Sequence, residues 1–170
     1  MMWAMDLHAE ISYPHTSIDK VFALITDRGF RGEVCEATHA LDHEVRVHQL
    51  DDAVTMVTVN RTMAAEVPAI ARKFVGETID VTQTEEWQPA TDPGRRTANL
   101  NVSIKGQPAK VTGTITLDAI DGGVREVIDG EVKVSIPFIG KAIEPEVAKG
   151  ITAALNTEQQ LGQARLSRGA

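Results

Sequence analysis

Four polar side chains interrupt otherwise apolar faces of predicted strands, and these residues could carry chemistry. Side chains alternate between the two faces of a strand, so each of the four points toward the face that is otherwise apolar. A buried carboxylate without a partner is costly and needs an ion pair, water or a ligand. A histidine, or a carboxylate with a raised pKa, can act there as a general acid or base. The four residues are His43, Gln83, Glu85 and Glu126.

Two interpretations of these inward polar residues remain open. In the first, they form the polar end of an apolar cavity, and His43, Glu85 and Glu126 are the candidate catalytic residues. In the second, the alternation slips at a bulge, or these side chains lie at strand ends and reach solvent.

The remaining histidines and the single cysteine indicate neither a metal site nor a nucleophile. His43 shares a strand face with Val45 and Val47, whereas His48 points to the opposite face, so the two histidines cannot hold one ion. Cys35 has no Cys–His signature around it, and no G-x-S-x-G segment surrounds any serine. We therefore predict a structural Cys35, no metal and no cofactor.

Composition bounds the class of protein. The chain has 170 residues, enough for one domain with a full core, so we predict a single domain spanning residues 1–170. The net charge of -7 argues against a nucleic-acid-binding surface, which is normally basic. Aromatic residues make up only 4% of the chain, so aliphatic side chains and threonine must build the core.

The same composition bears on location. A single cysteine excludes an intrachain disulfide. The first residues have no basic region followed by an apolar one, and no apolar run approaches the ~20 residues of a membrane helix. We expect a cytoplasmic protein without an integral membrane segment; the oligomeric state stays open.

Alternation with a period of two dominates the chain and predicts strands. MDLHAEISY is the first strand, and Thr16 with Asp19 resembles a capping box that begins a short helix, followed by a second one at RGEVCEATH. Asp51 and Asp52 mark a turn between two further strands. AAEVPAIARKFVG is predicted as a short helix or wide loop. Four more strands follow at ETIDVTQTEEW, RTANLNVSI, AKVTGTITLDA and GVREVIDGEVKVSI.

A long helix follows Pro137. We expect it to begin between Ala142 and Glu144 or to bend at Pro145, because proline lacks a backbone donor. One-sided alternation favours an antiparallel sheet with one wet face and one apolar face. The long helix must cover the apolar face, so the fold class is α+β. The predicted inner stripe of the helix is Ile143, Val147, Ile151, Ala154 and Leu155. The small residues Gly150, Ala153 and Ala154 predict a cavity between the helix and the sheet.

Three segments carry a family resemblance that covers nearly the whole chain: YPHTSIDKVFALITD, VPAIARKFVGETIDVTQTEEW and EVKVSIPFIGKAIE. With the element order, they resemble the START-like (SRPBCC, Bet v 1-like) superfamily, and one actinobacterial family of unknown function within it. The resemblance implies a helix-grip fold, in which a curved seven-stranded antiparallel sheet wraps around the long C-terminal helix and two short helices follow strand 1. It implies a cavity between sheet and helix, but no reaction.

The leading functional prediction is the binding or carriage of a small hydrophobic or amphipathic molecule, lipid or polyketide-like, without catalysis. One alternative is an enzyme of cyclase or dehydratase type that uses the inward glutamates or histidine. A second alternative is a protein-interaction module with a filled core, contacting its partner through a sheet edge or residues 67–75. The predicted cavity lining comprises Val57, Val59, Val81, Gln83, Leu100, Val102, Ile115, Ile128, Val132, Val147, Ile151 and Ala154.

Overall fold

The computed structural model describes residues 4–66 and 69–168, except for the side chains of Ile70, Ala71 and Phe74. The strands are Met5–Pro14 (β1), Asp42–Gln49 (β2), Thr55–Ala64 (β3), Thr78–Trp87 (β4), Arg95–Ile104 (β5), Ala109–Ile120 (β6) and Gly123–Val134 (β7). The helices are Ile18–Ile25 (α1), Arg28–Ala37 (α2), Ala69–Val75 (α3) and Gly140–Ser167 (α4).

The strands form one seven-stranded sheet in the order β1-β7-β6-β5-β4-β3-β2, and every neighbouring pair is antiparallel. Consecutive strands from β2 to β7 are neighbours, and β1 pairs with β7 at the far edge. The predicted order of strand, two helices, six strands and long helix is confirmed, with α3 between β3 and β4.

A pair of glycines lets the sheet curve. Gly113 and Gly130 lie opposite each other on β6 and β7. A Cβ on Gly113 would lie 2.3 Å from the carbonyl oxygen of Asp129, and one on Gly130 would lie 2.3 Å from that of Thr112. No larger residue fits this close approach, which is the usual role of glycine at a sharp bend in a strand.

The inner face of the sheet holds the core. Along β1, Leu7, Ala9, Ile11 and Tyr13 are buried while the residues between them are exposed, as the alternation predicted. α1 and α2 close one end of the sheet, where Phe30 of α2 is fully buried. A Cβ on Gly162 of α4 would come within 2.7 Å of the Tyr13 ring, so α4 packs tightly on β1 near its C-terminus.

The starts of the two short helices differ from the prediction. Ser17, not Thr16, caps α1, because its hydroxyl accepts a hydrogen bond from the backbone N–H of Lys20. α2 begins at Arg28, earlier than predicted, because the Asp27 carboxylate accepts from the Phe30 N–H at 2.7 Å.

α4 also begins before the predicted start, at Gly140, and runs through Pro145. Glu144, in its first turns, accepts a hydrogen bond from the backbone N–H of Val134 at 2.9 Å and so ties the helix to the end of β7. Within the described chain, no helix is both long and apolar enough to cross a membrane.

The inner stripe of α4 was predicted only in part. Ile143 and Leu155 are buried, and Val147, Ile151 and Ala154 are half-buried. Gly150 and Ala153, which the sequence placed toward the sheet, are exposed. The stripe continues through residues that were not predicted, Glu158 and Gly162, both buried.

Candidate functional site

The inner face of the sheet is covered at one end and partly open at the other. Along β3, exposure rises from Val59, which is 1% exposed, to the half-buried Arg61. β4 changes in the same direction, from Glu85, 2% exposed, to Val81, which is half-buried. The open end is where β3 and β5 finish and β4 begins. We call this part of the inner face the open region; it comprises Arg61, Met63, Ile79, Val81, Val102 and Ile104, none of them fully buried.

A stripe of small and apolar side chains on α4 borders the same space. α4 packs mainly on β1 and β7, so it leaves the inner face of β3–β5 less covered. Val147, Ile151 and Ala154 follow one another at the helical spacing that puts side chains on one face. Val102 from the sheet packs against the same core cluster as Val147 and Ile151. One turn later the stripe reaches the buried Glu158.

A buried ion pair joins α2 to β4 beyond the open region. Arg31 donates from Nη1 to Oε1 of Glu85 at 3.0 Å and from Nη2 to Oε2 at 2.6 Å. The two side chains are 7% and 3% exposed, so this is a buried bidentate pair. Arg31 also donates to the carbonyl oxygen of Ile25, which fixes its position against α1.

Glu85 is saturated with hydrogen bonds. Besides the two from Arg31, it accepts one from Trp87 Nε1 at 3.0 Å and one from Gln83 Nε2 at 2.6 Å. Burial by itself would raise the pKa of Glu85, but the Arg31 charge and these hydrogen bonds outweigh it and lower the pKa. Gln83 in turn accepts from Nη2 of Arg61 at 2.9 Å, so the amide links Arg61 to the ion pair.

Glu126 on β7 and Glu158 on α4 lack such partners. They are 4% and 8% exposed, and within the described ranges no hydrogen bond or ion pair reaches either carboxyl group. Burial raises the pKa of Glu126 well above its ordinary value, and the nearby Glu158 and Glu85 raise it further, against the opposing charge of Arg31. Burial also raises the pKa of Glu158, although Arg31 opposes this. Both groups therefore favour the neutral form far more than Glu85 does.

Tyr13 of β1 completes the buried polar set. Its hydroxyl is buried and has no hydrogen-bond partner in the part of the chain described here. Ile11 lies directly opposite Glu126 on the inner face, which places Tyr13 diagonally across from that glutamate. Burial, and next the charge of Glu126, raise the pKa of Tyr13. The interior thus holds one satisfied polar network and one group of polar side chains without partners.

The structure separates the predicted site residues by their exposure. His43 is half-buried against α2, with Nε2 3.3 Å from the position of a Cβ on Gly32. Glu85 and Glu126 are both buried, so these two glutamates do not reach solvent at a bulge or a strand end. Of the other predicted lining residues, six are buried and six are half-buried: the first set is Val57, Val59, Leu100, Ile115, Ile128 and Val132, and the second is Val81, Gln83, Val102, Val147, Ile151 and Ala154.

Four polar residues of the site were not singled out from the sequence. Arg61 and Tyr13 continue the inward alternation of β3 and β1, so the period of two could have placed both on the inner face. Glu158 continues the stripe of α4 by one turn. Arg31 has no such signal, because its partner Glu85 lies 54 residues further along the chain.

Two of the shallow grooves on the described surface measure about 490 and about 470 Å³. The first lies between the free edge of β1 and α4, beside Leu7 and Thr152. The second is formed mainly by outward-facing residues of β2–β5, such as Asn60 and Ser103. Among the described residues, no group of three or more His, Cys, Asp or Glu side chains could hold a metal ion.

Solved structures of low sequence identity share this arrangement. TTHA0849 from Thermus thermophilus matches 97% of this chain and 99% of its own, with a TM-score of 0.63 and 16% identity. A STAR-related lipid transfer protein fragment from Xanthomonas axonopodis matches 91% of this chain and 83% of its own, with a TM-score of 0.58 and 16% identity. Ara h 8.0201 matches 95% and 99%, with a TM-score of 0.58 and 14% identity. The chain therefore has the START-like, Bet v 1-like helix-grip fold, as predicted.

Within this fold class, the chain belongs to the family described as protein of unknown function, DUF2505, whose profile matches residues 8–166. The uncharacterized protein Rv0481c of Mycobacterium tuberculosis is 27% identical over 112 residues, which are 65% of this chain and 64% of that protein. The uncharacterized protein Mb0491c of Mycobacterium bovis matches with the same values. This chain thus spans less than two thirds of the length of these relatives. The mycobacterial relatives fit the predicted actinobacterial family.

Proposed function

We propose that the chain binds a small hydrophobic or amphipathic molecule, lipid or polyketide-like, between the inner face of the sheet and α4, without a chemical step. One observation carries the proposal: the inward-facing apolar side chains of the open region stay partly exposed, although Ile104 among them packs against the same core cluster as Val147 of α4. A molecule placed there would remove this surface from water, which contributes about 25 cal/mol per Å² of apolar area covered.

The predicted lining fits two roles in this proposal. The half-buried Val81, Val102, Val147, Ile151 and Ala154 would contact the ligand, and Gln83 would mark the polar end of the site. The buried aliphatic residues behind them would form its wall. A STAR-related lipid transfer protein with this fold supports the ligand class, because a shared fold often presents its pocket at the same place.

Nile red, a neutral apolar dye whose fluorescence rises on leaving water, tests the proposal together with Ala154→Leu. Ala154 is half-buried on the same face of α4 as Val147 and Ile151, so a larger side chain there should weaken dye binding by filling the volume. The substitution should leave the free energy of unfolding nearly unchanged, whereas the same insertion in a packed core lowers it by roughly 1–3 kcal/mol. Dye titrations and denaturant unfolding of both proteins give the two readouts.

Ala164→Leu is the matched control, because Ala164 is exposed on the same helix and lines neither surface groove. It should change neither dye binding nor stability. If the wild-type protein takes up no dye and Ala154→Leu is clearly destabilised, the space is filled and the proposal is wrong. The interaction module would then be the better interpretation.

A second candidate function is general acid catalysis on a bound ligand, of the cyclase or dehydratase kind. Glu126 and Glu158 favour it, because both are buried, unpartnered and biased toward the neutral form that can donate a proton. His43 and Glu85 fit this role less well: His43 faces α2, and Glu85 is saturated by its hydrogen bonds. Turnover of a bound compound that Glu126→Gln abolishes without weakening its binding would favour catalysis over carriage.

A further inference from the structure

Arg61 is a cation on the inner face, and most of its hydrogen-bond donors have no partner among the described residues. It is half-buried, and its one hydrogen bond to a described residue runs from Nη2 to the amide oxygen of Gln83. Its Nε is buried without a partner. Arginine has five N–H donors, so this guanidinium has capacity for a further acceptor. Burial lowers the pKa of Arg61, as expected for a charge that is poorly solvated.

Among the residues that the structure describes, no acidic group near Arg61 is arranged to pair with it. Glu85 is occupied by Arg31, Trp87 and Gln83, so it acts on Arg61 through its charge and through the Gln83 amide between them, without a direct hydrogen bond. The thiol of Cys35 has a raised pKa because of burial and stays neutral near physiological pH. Glu158 is close enough to act on Arg61 electrostatically, but it forms no ion pair and burial favours its neutral form.

The neighbours of Arg61 join a polar end to an apolar space. In the strand register, His43 of β2 lies directly opposite Arg61 of β3, and Val81 of β4 lies opposite Arg61 on its other side. Ile104 continues this row of inward side chains on β5, and both apolar residues belong to the open region. The guanidinium therefore connects the apolar side chains of the open region to the buried polar network.

We propose that Arg61, with His43 and Gln83 beside it, binds the carboxylate of an amphipathic monocarboxylic acid whose apolar chain lies in the open region. The inference rests on the proposed ligand-binding function and specifies its ligand class. A planar carboxylate matches the guanidinium fork, which can donate two parallel hydrogen bonds. A single negative charge balances Arg61, whereas a doubly charged phosphate would add repulsion from Glu85, whose charge already acts on this site.

Displacement of Nile red by dodecanoic acid and by methyl dodecanoate, near neutral pH, tests this inference. The two compounds share one apolar chain and differ in charge. Dodecanoic acid should displace the dye from the wild-type protein at a concentration lower by about tenfold or more, the effect of a hydrogen-bonded charge pair. Arg61→Met keeps the apolar stem and should abolish this preference without changing displacement by the ester. Arg61→Lys keeps the charge but not the fork, and should retain only part of the preference.

Arg46→Met is the control, because Arg46 is an exposed arginine on the outer face of β2, ion-paired with Glu44. It should leave both displacements unchanged. The inference is wrong if the wild-type protein prefers the ester or neither compound, if Arg61→Met retains the preference, or if Arg46→Met removes it equally. If Arg61→Met does not fold, an undiminished preference in Arg61→Lys contradicts the inference instead. Absence of dye binding in the wild-type protein would overturn the proposed function itself, a separate result.

Discussion

Glu85 and Glu126 occupy similar positions in the sheet but have different surroundings. Both point from the inner face, on β4 and β7, and both are almost fully buried. Glu85 accepts four hydrogen bonds, two of them from Arg31. Glu126 faces Ile11 and Leu117 across its two neighbouring strands, and its electrostatic neighbours are Glu158, Glu85 and Arg31.

The surroundings of Glu85 and Glu126 differ because α2 and α4 place different side chains beside β4 and β7. α2 places a guanidinium over β4, so Glu85 remains charged and joins the helix to the sheet. No cation from α4 reaches Glu126 in the described structure; burial, and next the carboxyl group of Glu158 that α4 places near β7, push Glu126 toward the neutral form. A satisfied buried charge is part of the structural core, whereas partnerless polar groups have capacity for a ligand or a proton.

The largest expected effect comes from breaking the satisfied pair. Arg31→Met leaves Glu85 buried without its cation and should lower the free energy of unfolding by about 3–5 kcal/mol near neutral pH. Denaturant unfolding of the variant measures this directly. Arg165→Met is the control, because Arg165 forms ion pairs with the half-exposed Asp27 and Glu33, and its loss should be about 1 kcal/mol or less. Equal losses in the two variants would contradict the structural role given to Arg31.

The two glutamates should depend on pH with opposite signs. The lowered pKa of Glu85 means that its charge stabilises the fold above the ordinary carboxyl pKa, and that this contribution is lost as pH falls through the lowered value. Glu85→Gln should therefore destabilise the protein near neutral pH, by about 2 kcal/mol or more, and progressively less in acid.

For Glu126, whose pKa is raised, the wild-type protein should lose stability as pH rises from the ordinary carboxyl pKa through the raised value. Glu126→Gln removes this loss, so it should be neutral or stabilising near neutral pH, with an advantage that grows with pH. Unfolding of both variants across a pH series measures both slopes. A loss above ~2 kcal/mol in Glu126→Gln would reveal a specific partner for its carboxylate and contradict the contrast.

The smallest effect is expected at Tyr13. Tyr13→Phe removes a buried hydroxyl that has no partner in the described chain, so stability should stay the same or rise by up to about 1 kcal/mol. Thermal and denaturant unfolding can resolve a change of this size. A clear loss of stability would mean that the hydroxyl bonds to a neighbour, and that the polar group around Glu126 is satisfied after all.

The sequence predicted the fold well because alternation and turns are local signals. The seven strands, the two early helices and α4 lie close to their predicted positions, and errors fall at helix ends, where Ser17 replaces Thr16 as the cap. The candidate site was predicted less completely. Periodicity showed that Glu85 and Glu126 point inward, but the contrast between them depends on Arg31 and Glu158, which come from distant helices. Partners across the fold leave no spacing pattern in the chain.

The central claim is that the space between the open region and α4 receives a small apolar molecule. Native mass spectrometry of the protein, purified without organic solvent, tests it most directly. The claim predicts one small molecule bound per chain, lost after organic extraction and restored as a one-to-one complex when the extracted protein is given dodecanoic acid or Nile red. A bare chain before extraction, together with no complex after either addition, would contradict it.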